Sequence, residues 1–374
     1  MTAARSIRNF AILGVALVAS TVQASGFETS KPFDHAGLAR QALEKHVVPG
    51  YEKLASAATG LSQAIDRHCA QPSRTLPKYV TKAFDDFVVA WGRVEHINFG
   101  PITKENRKEK LLFFPDRRGL GARQVTRSLQ TRDPDVTDVN KLASKSVALQ
   151  GLGALEIVLF RDAGSKPETP EAQKHRCQFA RAISGNLANR TQQMRDEWKL
   201  EDGFRHHFLN PGPGNPLFFK PSEVTQVLAK SLDQGLERIR EERIAGPLGL
   251  GKQRRRLAAV LERSGRTFRL TVANLEGLRD LYTAGGMQNA ILATDRAKGV
   301  ASLPASSRLV LNELNTAHKI AKKVVGVSKP FDDPGIPSQL IAMGFPLKNA
   351  RGQLTVLMAA TAGLTLGFNS SDGD

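Results

Sequence analysis

Glu156 is the one acidic residue inside an apolar run that extends from residue 144 to residue 160. The leucines of this run recur at the three- and four-residue spacing of one helix face, at Leu149, Leu152, Leu155 and Leu159. The pattern predicts a buried helix that carries a carboxyl group among apolar side chains. Moving a bare carboxylate out of water is costly, so Glu156 needs a counter-charge, a metal ion or a proton.

Glu95 and His96, near the end of another predicted helix, are the candidates to assist Glu156 in binding a ligand. Trp91 precedes Glu95 by four residues and therefore lies on the same helix face. If the two carboxylates lie close together, the pKa of one is raised or the pair holds a cation. Glu156, Glu95 and His96 then form the predicted metal-ligand set.

A structural role for Glu156 is the alternative. Arg93 or Arg117 could pair with the carboxylate, which would leave a salt bridge in place of a ligand site. The residue pattern is compatible with both arrangements and leaves the choice open.

Peptidase chemistry has little support in the sequence, because neither an HExxH nor a GxSxG motif is present. His206 and His207 are adjacent, and adjacent helical residues point about 100° apart, which disfavours a shared metal ion.

Cys69 and Cys177 each lie on a predicted helix, and in an exported protein they are expected to form a disulfide. The alternative is a pair of buried free thiols.

The first 24 residues have the pattern of a Sec-type signal peptide. Arg5 and Arg8 precede an apolar segment over residues 10–22, and small residues at Val22 and Ala24 predict cleavage after Ala24. No cysteine follows that site, so a lipoprotein is not expected. No later run reaches the roughly 18 apolar residues of a spanning helix, so the mature chain is expected to be a periplasmic protein without a transmembrane segment.

The chain is strongly basic, with 53 Lys and Arg residues against 36 Asp and Glu residues. An exported protein does not meet nucleic acid, so the positive charge favours anionic partners such as phosphate groups, carboxylate-rich metal chelates or an acidic envelope protein. Solubility alone is the competing explanation. The hydrophobic content of 41% supports a packed core.

Apolar periodicity predicts an all-α protein, because no useful strand alternation occurs. Helices are expected over residues 35–69, 76–97, 144–160, 171–200, 222–243, 252–282, 304–325 and 350–366. Pro49-Gly50 predicts a break or a kink in the first helix, Ser222 a helix cap, and residues 329–348 a connection. The Pro- and Gly-rich cluster at residues 210–216 predicts a boundary between two helical bundles, over residues 25–210 and 211–374.

Several segments resemble the imelysin-like family in the same order along the chain. Trp91 to Glu95 followed by Phe99-Gly100-Pro101 resembles its W-x-x-x-E and FGP block, and Phe114 to Arg117 resembles the next block. Residues 151–156 resemble its GxHxxE signature, with Gly153 at the histidine position. Residues 363–368 resemble its C-terminal block.

The resemblance implies two facing helical bundles, an exported location and a role in iron uptake, together with an M75 metallopeptidase label. It places a ligand site in the cleft between the bundles, and the residues expected there are Glu156, Gly153, Glu95, Trp91, Gly100 and Arg117. Glycine cannot bind a metal, so the altered signature implies a changed site for iron, another metal, a metal chelate or another anion.

The sequence therefore favours a binding protein of metal acquisition and leans away from an enzyme. A metal-dependent peptidase is the runner-up, although the missing histidine counts against it. The third alternative is a structural or partner-binding envelope protein whose site has decayed.

Overall fold

Helices are the only regular elements in the part of the chain that the structure describes, which confirms the predicted all-α class. The computed structural model describes residues 31–73, 75–160, 168–250, 256–294, 302–327 and 329–366. The predicted signal peptide and the last part of the C-terminal block, from residue 367, lie outside the described residues.

The described part of the chain contains fourteen α-helices. They are α1 His35–Ala42, α2 Val48–Ala70, α3 Lys78–Val94, α4 Arg107–Leu111, α5 Leu120–Thr131, α6 Val139–Ser144, α7 Gly151–Leu159, α8 Pro170–Lys199, α9 Phe204–Leu209, α10 Pro221–Arg238, α11 Thr267–Tyr282, α12 Met287–Leu292, α13 Ser302–Val324 and α14 Ile336–Ala362. Two π-helical segments, Leu43–Val47 and Ile239–Ala245, continue α1 into α2 and extend α10. Short 3₁₀ turns occupy Gly100–Asn106, Pro134–Thr137 and Val147–Leu149.

Two long helices begin at other residues than the sequence predicts. Over residues 252–282 the helix begins only at Thr267, and the described residues before it form turns. The connection predicted over residues 329–348 is largely helical, because α14 begins at Ile336 with Pro337 in its first turn, where the missing N–H costs no helical hydrogen bond. Pro346 is accommodated inside the same helix.

Three local predictions also need correction. No break occurs at Pro49-Gly50, since the π-helical segment leads directly into α2 and Pro49 occupies its first turn. Lys220 rather than Ser222 precedes the first turn of α10. The predicted helix over residues 144–160 is divided, because α6 ends at Ser144, a 3₁₀ turn follows over Val147–Leu149, and α7 begins only at Gly151.

The N-terminal helices pack α2 against α3 and α8, and α7 against α8. The apolar stripes that the periodicity predicts on α2 and α8 are buried, as at Leu61 and Ile183. Cys69 at the end of α2 and Cys177 near the start of α8 form the predicted disulfide, with 5.5 Å between their Cα atoms. The bridge therefore joins two helices that already share a core.

The C-terminal helices pack α13 against α14 as a hairpin, and both contact α10 or α11. Helix α3 also packs on α11, across the predicted boundary at residue 210. A Cβ atom on Gly277 would lie 2.3 Å from the carbonyl oxygen of Arg93, so glycine is required for this close approach. The contact brings the end of α3, where Glu95 lies, against the middle of α11, whereas the division into two bundles remains a prediction.

Candidate functional site

Glu156 lies on α7 and is only 7% exposed. Its Oε1 accepts hydrogen bonds from the backbone N–H and the hydroxyl of Ser264, at 2.8 and 2.6 Å. Burial raises the pKa of Glu156, and the Ser264 hydrogen bonds and the positive charges of Arg263 and Arg266 offset this only in part. The carboxyl group thus fastens α7 to the turn that precedes α11.

Gly153 leaves room for a Cβ atom on α7 at the position where the family signature has histidine. The nearest atom to an added Cβ at this position is Leu112 Cδ1, at 4.0 Å. Gly151 differs, because its φ is +77° and an added Cβ would lie 2.6 Å from the Leu111 carbonyl oxygen. The first glycine of the signature is required by the backbone, and the second is not.

The arginines considered as partners of Glu156 occupy other surroundings. Arg93 forms ion pairs with Glu276 and Asp280 of α11, at 2.5 and 2.6 Å. Arg117 lies exposed in the turn before α5. The positive charges that lower the pKa of Glu156 include Arg263 and Arg266, which the sequence did not indicate.

Glu95 follows the last turn of α3 and is fully enclosed by polar partners. Its Oε1 accepts a hydrogen bond from Arg243 at 2.8 Å, and its Oε2 accepts one from the Asn274 side chain at 2.8 Å. Burial raises the pKa of Glu95, but the positive charges of Arg243, Arg238 and Lys108 and the Asn274 hydrogen bond outweigh it and hold the pKa below its ordinary value. Glu95 is therefore ionised at neutral pH.

Lys108, Arg238 and Glu242 form the edge of this site that reaches toward the surface. The side chains of Arg238 and Glu242 are 22% and 29% exposed, whereas Arg243 is completely buried. Burial and the charge of Arg238 lower the pKa of Lys108 to about 7, and its ammonium group donates to Asn98 Oδ1. Burial raises the pKa of Glu242 against the effect of Arg243.

His46 and His96 form a buried pair beside Glu95, with their Nε2 atoms 3.0 Å apart. His46 comes from the first π-helical segment, and such segments are often found at functional sites. Burial lowers the pKa of His46 to about 4 and holds that of His96 well below its ordinary value. Both rings are neutral at pH 7, so one Nε2 donates a hydrogen bond to the other.

Four buried polar atoms, on residues that hydrogen-bond to Glu95 or lie within four positions of it along the chain, have no hydrogen-bond partner among the described residues. They are Trp91 Nε1, His96 Nδ1, Arg243 Nε and Asn274 Oδ1. Buried polar atoms are normally paired, so each unpaired one calls for a water molecule or a ligand that completes its bonding. The Glu95 cluster, defined as Trp91, Glu95, His96, Lys108, Arg238, Glu242, Arg243 and Asn274, is therefore the candidate functional site.

The predicted metal ligands do not fit a metal ion in this arrangement. Both oxygens of Glu95 accept hydrogen bonds from Arg243 and Asn274, and His96 Nε2 faces another imidazole. Glu156 and Glu95 have no hydrogen-bonding partner in common. Within the described ranges, no three His, Cys, Asp or Glu side chains are grouped so that they could hold one ion.

Gly100 belongs to an aromatic cluster rather than to the Glu95 cluster. Its φ is +75°, and an added Cβ would lie 2.5 Å from the Trp198 ring. The neighbouring Phe99 stacks on Phe208, with ring centroids 5.4 Å apart and nearly parallel planes. The segment that resembles the family's FGP block therefore packs aromatic rings beneath the end of α3.

Sequence reasoning found Glu95, His96 and Trp91 but missed the residues that surround them. Arg238 and Arg243 lie in a helix whose charged residues have the pattern of an exposed face, and Asn274 lies in a predicted helix without a distinguishing pattern. Lys108 lies in a segment with many charged residues, so nothing in the sequence distinguishes it from its neighbours. Arg238, Arg243 and Asn274 are identified only by their hydrogen bonds to Glu95, across sequence separations of 143, 148 and 179 residues.

No helix in the described ranges combines the length and the apolar character needed to cross a bilayer. The family model for imelysin (Peptidase_M75) matches residues 47–361, which is most of the chain. No curated protein matches.

The fold is found in solved structures, including the following two. An imelysin-like protein from Psychrobacter arcticum 273-4 has 17% identity and a TM-score of 0.72, over 89% of this chain and 97% of that one. A "putative iron-regulated protein A precursor" from Parabacteroides distasonis ATCC 8503 has 12% identity and a TM-score of 0.67, over 88% and 97%. Given the extent of the family match, the chain belongs to the imelysin family.

Proposed function

We propose that this protein is an exported periplasmic binding protein of iron or other metal acquisition, and that it takes the metal as an anionic chelate at the edge of the Glu95 cluster. The name of the Parabacteroides relative is consistent with a link to iron. The four unpartnered buried polar atoms are the observation on which the proposal rests. They supply donors and an acceptor that a polar ligand, or water held by it, would satisfy.

The charges of the cluster favour an anion over a bare cation. Lys108, Arg238 and Arg243 outnumber Glu95 and Glu242, and both glutamates lie beside arginine. Arg238 is the partly exposed cation, and a guanidinium group suits a carboxylate oxygen pair. A chelate whose carboxylates surround the metal would bring negative charge to this edge and would need no metal ligand from the protein.

The proposal is tested by equilibrium binding of ferric citrate, with citrate alone and ferric ion alone as comparison probes. The protein is purified from the periplasm without a metal-binding tag, and its metals are first measured by mass spectrometry. We expect ferric citrate to bind, and Lys108→Met to weaken binding roughly tenfold or more, because a charge-assisted hydrogen bond is lost. Lys104→Met is the matched control, since Lys104 is 58% exposed and pairs with Glu197.

The pH dependence gives a second readout. Lys108 has a pKa of about 7, so its charge is present below pH 7 and is lost above it. Affinity for the anion should therefore fall as the pH rises above 7, approaching roughly tenfold per pH unit. Lys108→Met should flatten this part of the profile, whereas Lys104→Met should leave it unchanged.

Other outcomes would favour the alternatives. Peptide cleavage that a chelator abolishes would support a metal-dependent peptidase, and binding of ferric ion without citrate would support a site built from protein ligands. Absence of binding to all three probes would favour a structural or partner-binding envelope protein.

A further inference from the structure

Helix α14 exposes apolar side chains on the face that points away from the core. Ile341, Phe345 and Val356 are 45%, 66% and 55% exposed. Their spacing of four and eleven residues places them within about 60° of one another around the helix. We call these three residues the apolar stripe. The opposite face, which includes Leu347 and Leu354, is buried, so α14 has apolar side chains on both sides.

Exposed lysines lie on the same helical hairpin as the apolar stripe. Helices α13 and α14 form a hairpin, and Asn349 donates a hydrogen bond to Glu313 at 3.1 Å. This pairing sets the last turns of α13 beside the first turns of α14, where Ile341 and Phe345 lie. The lysines, which we call the lysine rim, are Lys319, Lys322, Lys323 and Lys348.

The two hairpin helices carry little negative charge, and the two acids of their connection are engaged, because Asp332 pairs with Arg256 and Asp333 accepts a hydrogen bond from the Gly335 N–H. Glu313 is the only acidic residue of α13, and α14 has none. None of the four rim lysines forms an ion pair with a residue that the structure describes. Their charges therefore remain available to a partner.

We propose that the outer face of the α13–α14 hairpin docks on an anionic phospholipid membrane surface. The apolar stripe enters the boundary between headgroups and acyl chains, and the lysine rim contacts the phosphate groups. Helices that lie in this boundary combine one apolar face with basic residues along its sides. Each lysine near an anionic surface adds to the attraction, and the attraction is screened by salt.

A second copy of the chain is a poorer occupant of the same face. A two-fold dimer through the apolar stripe would bring the lysine rims of both copies together, because such an interface uses the same patch twice. The positive charges of two lysine rims brought into contact repel each other. An anionic bilayer neutralises the rim, and so charge complementarity favours the membrane.

The test is co-sedimentation of the mature protein, residues 25–374, with vesicles of phosphatidylcholine alone or mixed equally with phosphatidylglycerol. We expect binding to the anionic vesicles at least roughly tenfold tighter than to the neutral ones, and weaker at 0.5 M NaCl. Phe345→Ser should weaken this binding by roughly fivefold or more. Phe219→Ser is the matched control, because Phe219 is 64% exposed before α10, and it should change binding by less than about twofold.

The charge contribution is tested with two quadruple variants. Replacing the lysine rim with glutamine should weaken binding to anionic vesicles by roughly tenfold or more. The control replaces four exposed lysines of the N-terminal helices, which are Lys45, Lys53, Lys78 and Lys82. Equal losses in both quadruple variants would reduce the effect to net charge and overturn the proposal. It would also be overturned by unchanged binding in Phe345→Ser, or by a dimer that Phe345→Ser dissociates while no vesicle binding occurs.

Discussion

Glu156 and Glu95 are both buried carboxylates, yet they lie in opposite electrostatic surroundings. Glu156 accepts two hydrogen bonds from one neutral residue, Ser264, and its pKa is raised. Glu95 binds Arg243 and Asn274, and its pKa is lowered. Glu156, which belongs to the GxHxxE-like signature, holds the turn before α11 by hydrogen bonds. Glu95, which lies outside that signature, is surrounded by charged side chains and by residues with unpartnered polar atoms. The carboxylate of the motif therefore makes a structural contact here, and the candidate site is built on the other carboxylate.

The largest expected effect is that of Arg243→Met on stability. This change leaves Glu95 buried without its main counter-charge, and breaking such a pair costs about 3–5 kcal/mol. The measurement is the free energy of unfolding in urea. Arg240→Met is the control, because Arg240 lies partly exposed in the same π-helical segment and pairs with the exposed Glu241. A loss of equal size in both variants would contradict the special role of the pair.

The corresponding change at Glu156 should cost less. Ser264→Ala removes the hydroxyl donor but keeps the backbone N–H, so we expect a loss of about 1–3 kcal/mol. Ser338→Ala is the control, since Ser338 is exposed at the start of α14 and should change stability by less than about 0.5 kcal/mol. If Ser264→Ala were as mild as its control, Glu156 would not depend on this contact.

The two glycines of the signature should respond in opposite directions. Gly153→Ala should stabilise the protein by about 0.5–1 kcal/mol, because alanine favours the helix and the space is open. Gly151→Ala should destabilise it by at least about 1–2 kcal/mol, because of its positive φ and the nearby Leu111 carbonyl. Thermal unfolding of the two variants provides the comparison, and a shift of the same sign in both would refute it.

The smallest effect concerns pH. The lowered pKa of Glu95 contributes stability above its unfolded value of 4.5, and this contribution is lost as the pH falls through the lowered folded value. The raised pKa of Glu156 acts in the opposite sense, because the folded state holds its proton more tightly, so its contribution is full below pH 4.5 and falls as the pH rises through the raised folded value. Urea unfolding between pH 3 and 7 should show that Glu95→Gln reduces the rise of stability with pH at the acidic end. Glu156→Gln should instead remove a decrease with rising pH above pH 4.5.

Much of the fold followed from local patterns, and most of the site did not. The sequence predicts the apolar stripes of α2 and α8 because helical periodicity depends only on residues three or four positions apart. Ser264 lies 108 residues from Glu156, and Arg243 and Asn274 lie 148 and 179 residues from Glu95. No periodicity connects residues so far apart. Helix α14 was missed in part because its glycines and prolines resemble those of a loop, although packing accommodates them.

The two π-helical segments change how this chain lines up with other chains. Each π turn holds about one residue more than an α turn, so the residues that follow it are rotated by about 100° relative to an uninterrupted α-helical count. The helix face on which a residue lies must therefore be counted anew after Leu43–Val47 and after Ile239–Ala245. An alignment with a relative that lacks either segment needs a one-residue gap inside a continuous helix. Without that gap, His46 or Arg243 would be matched to the wrong face of its helix.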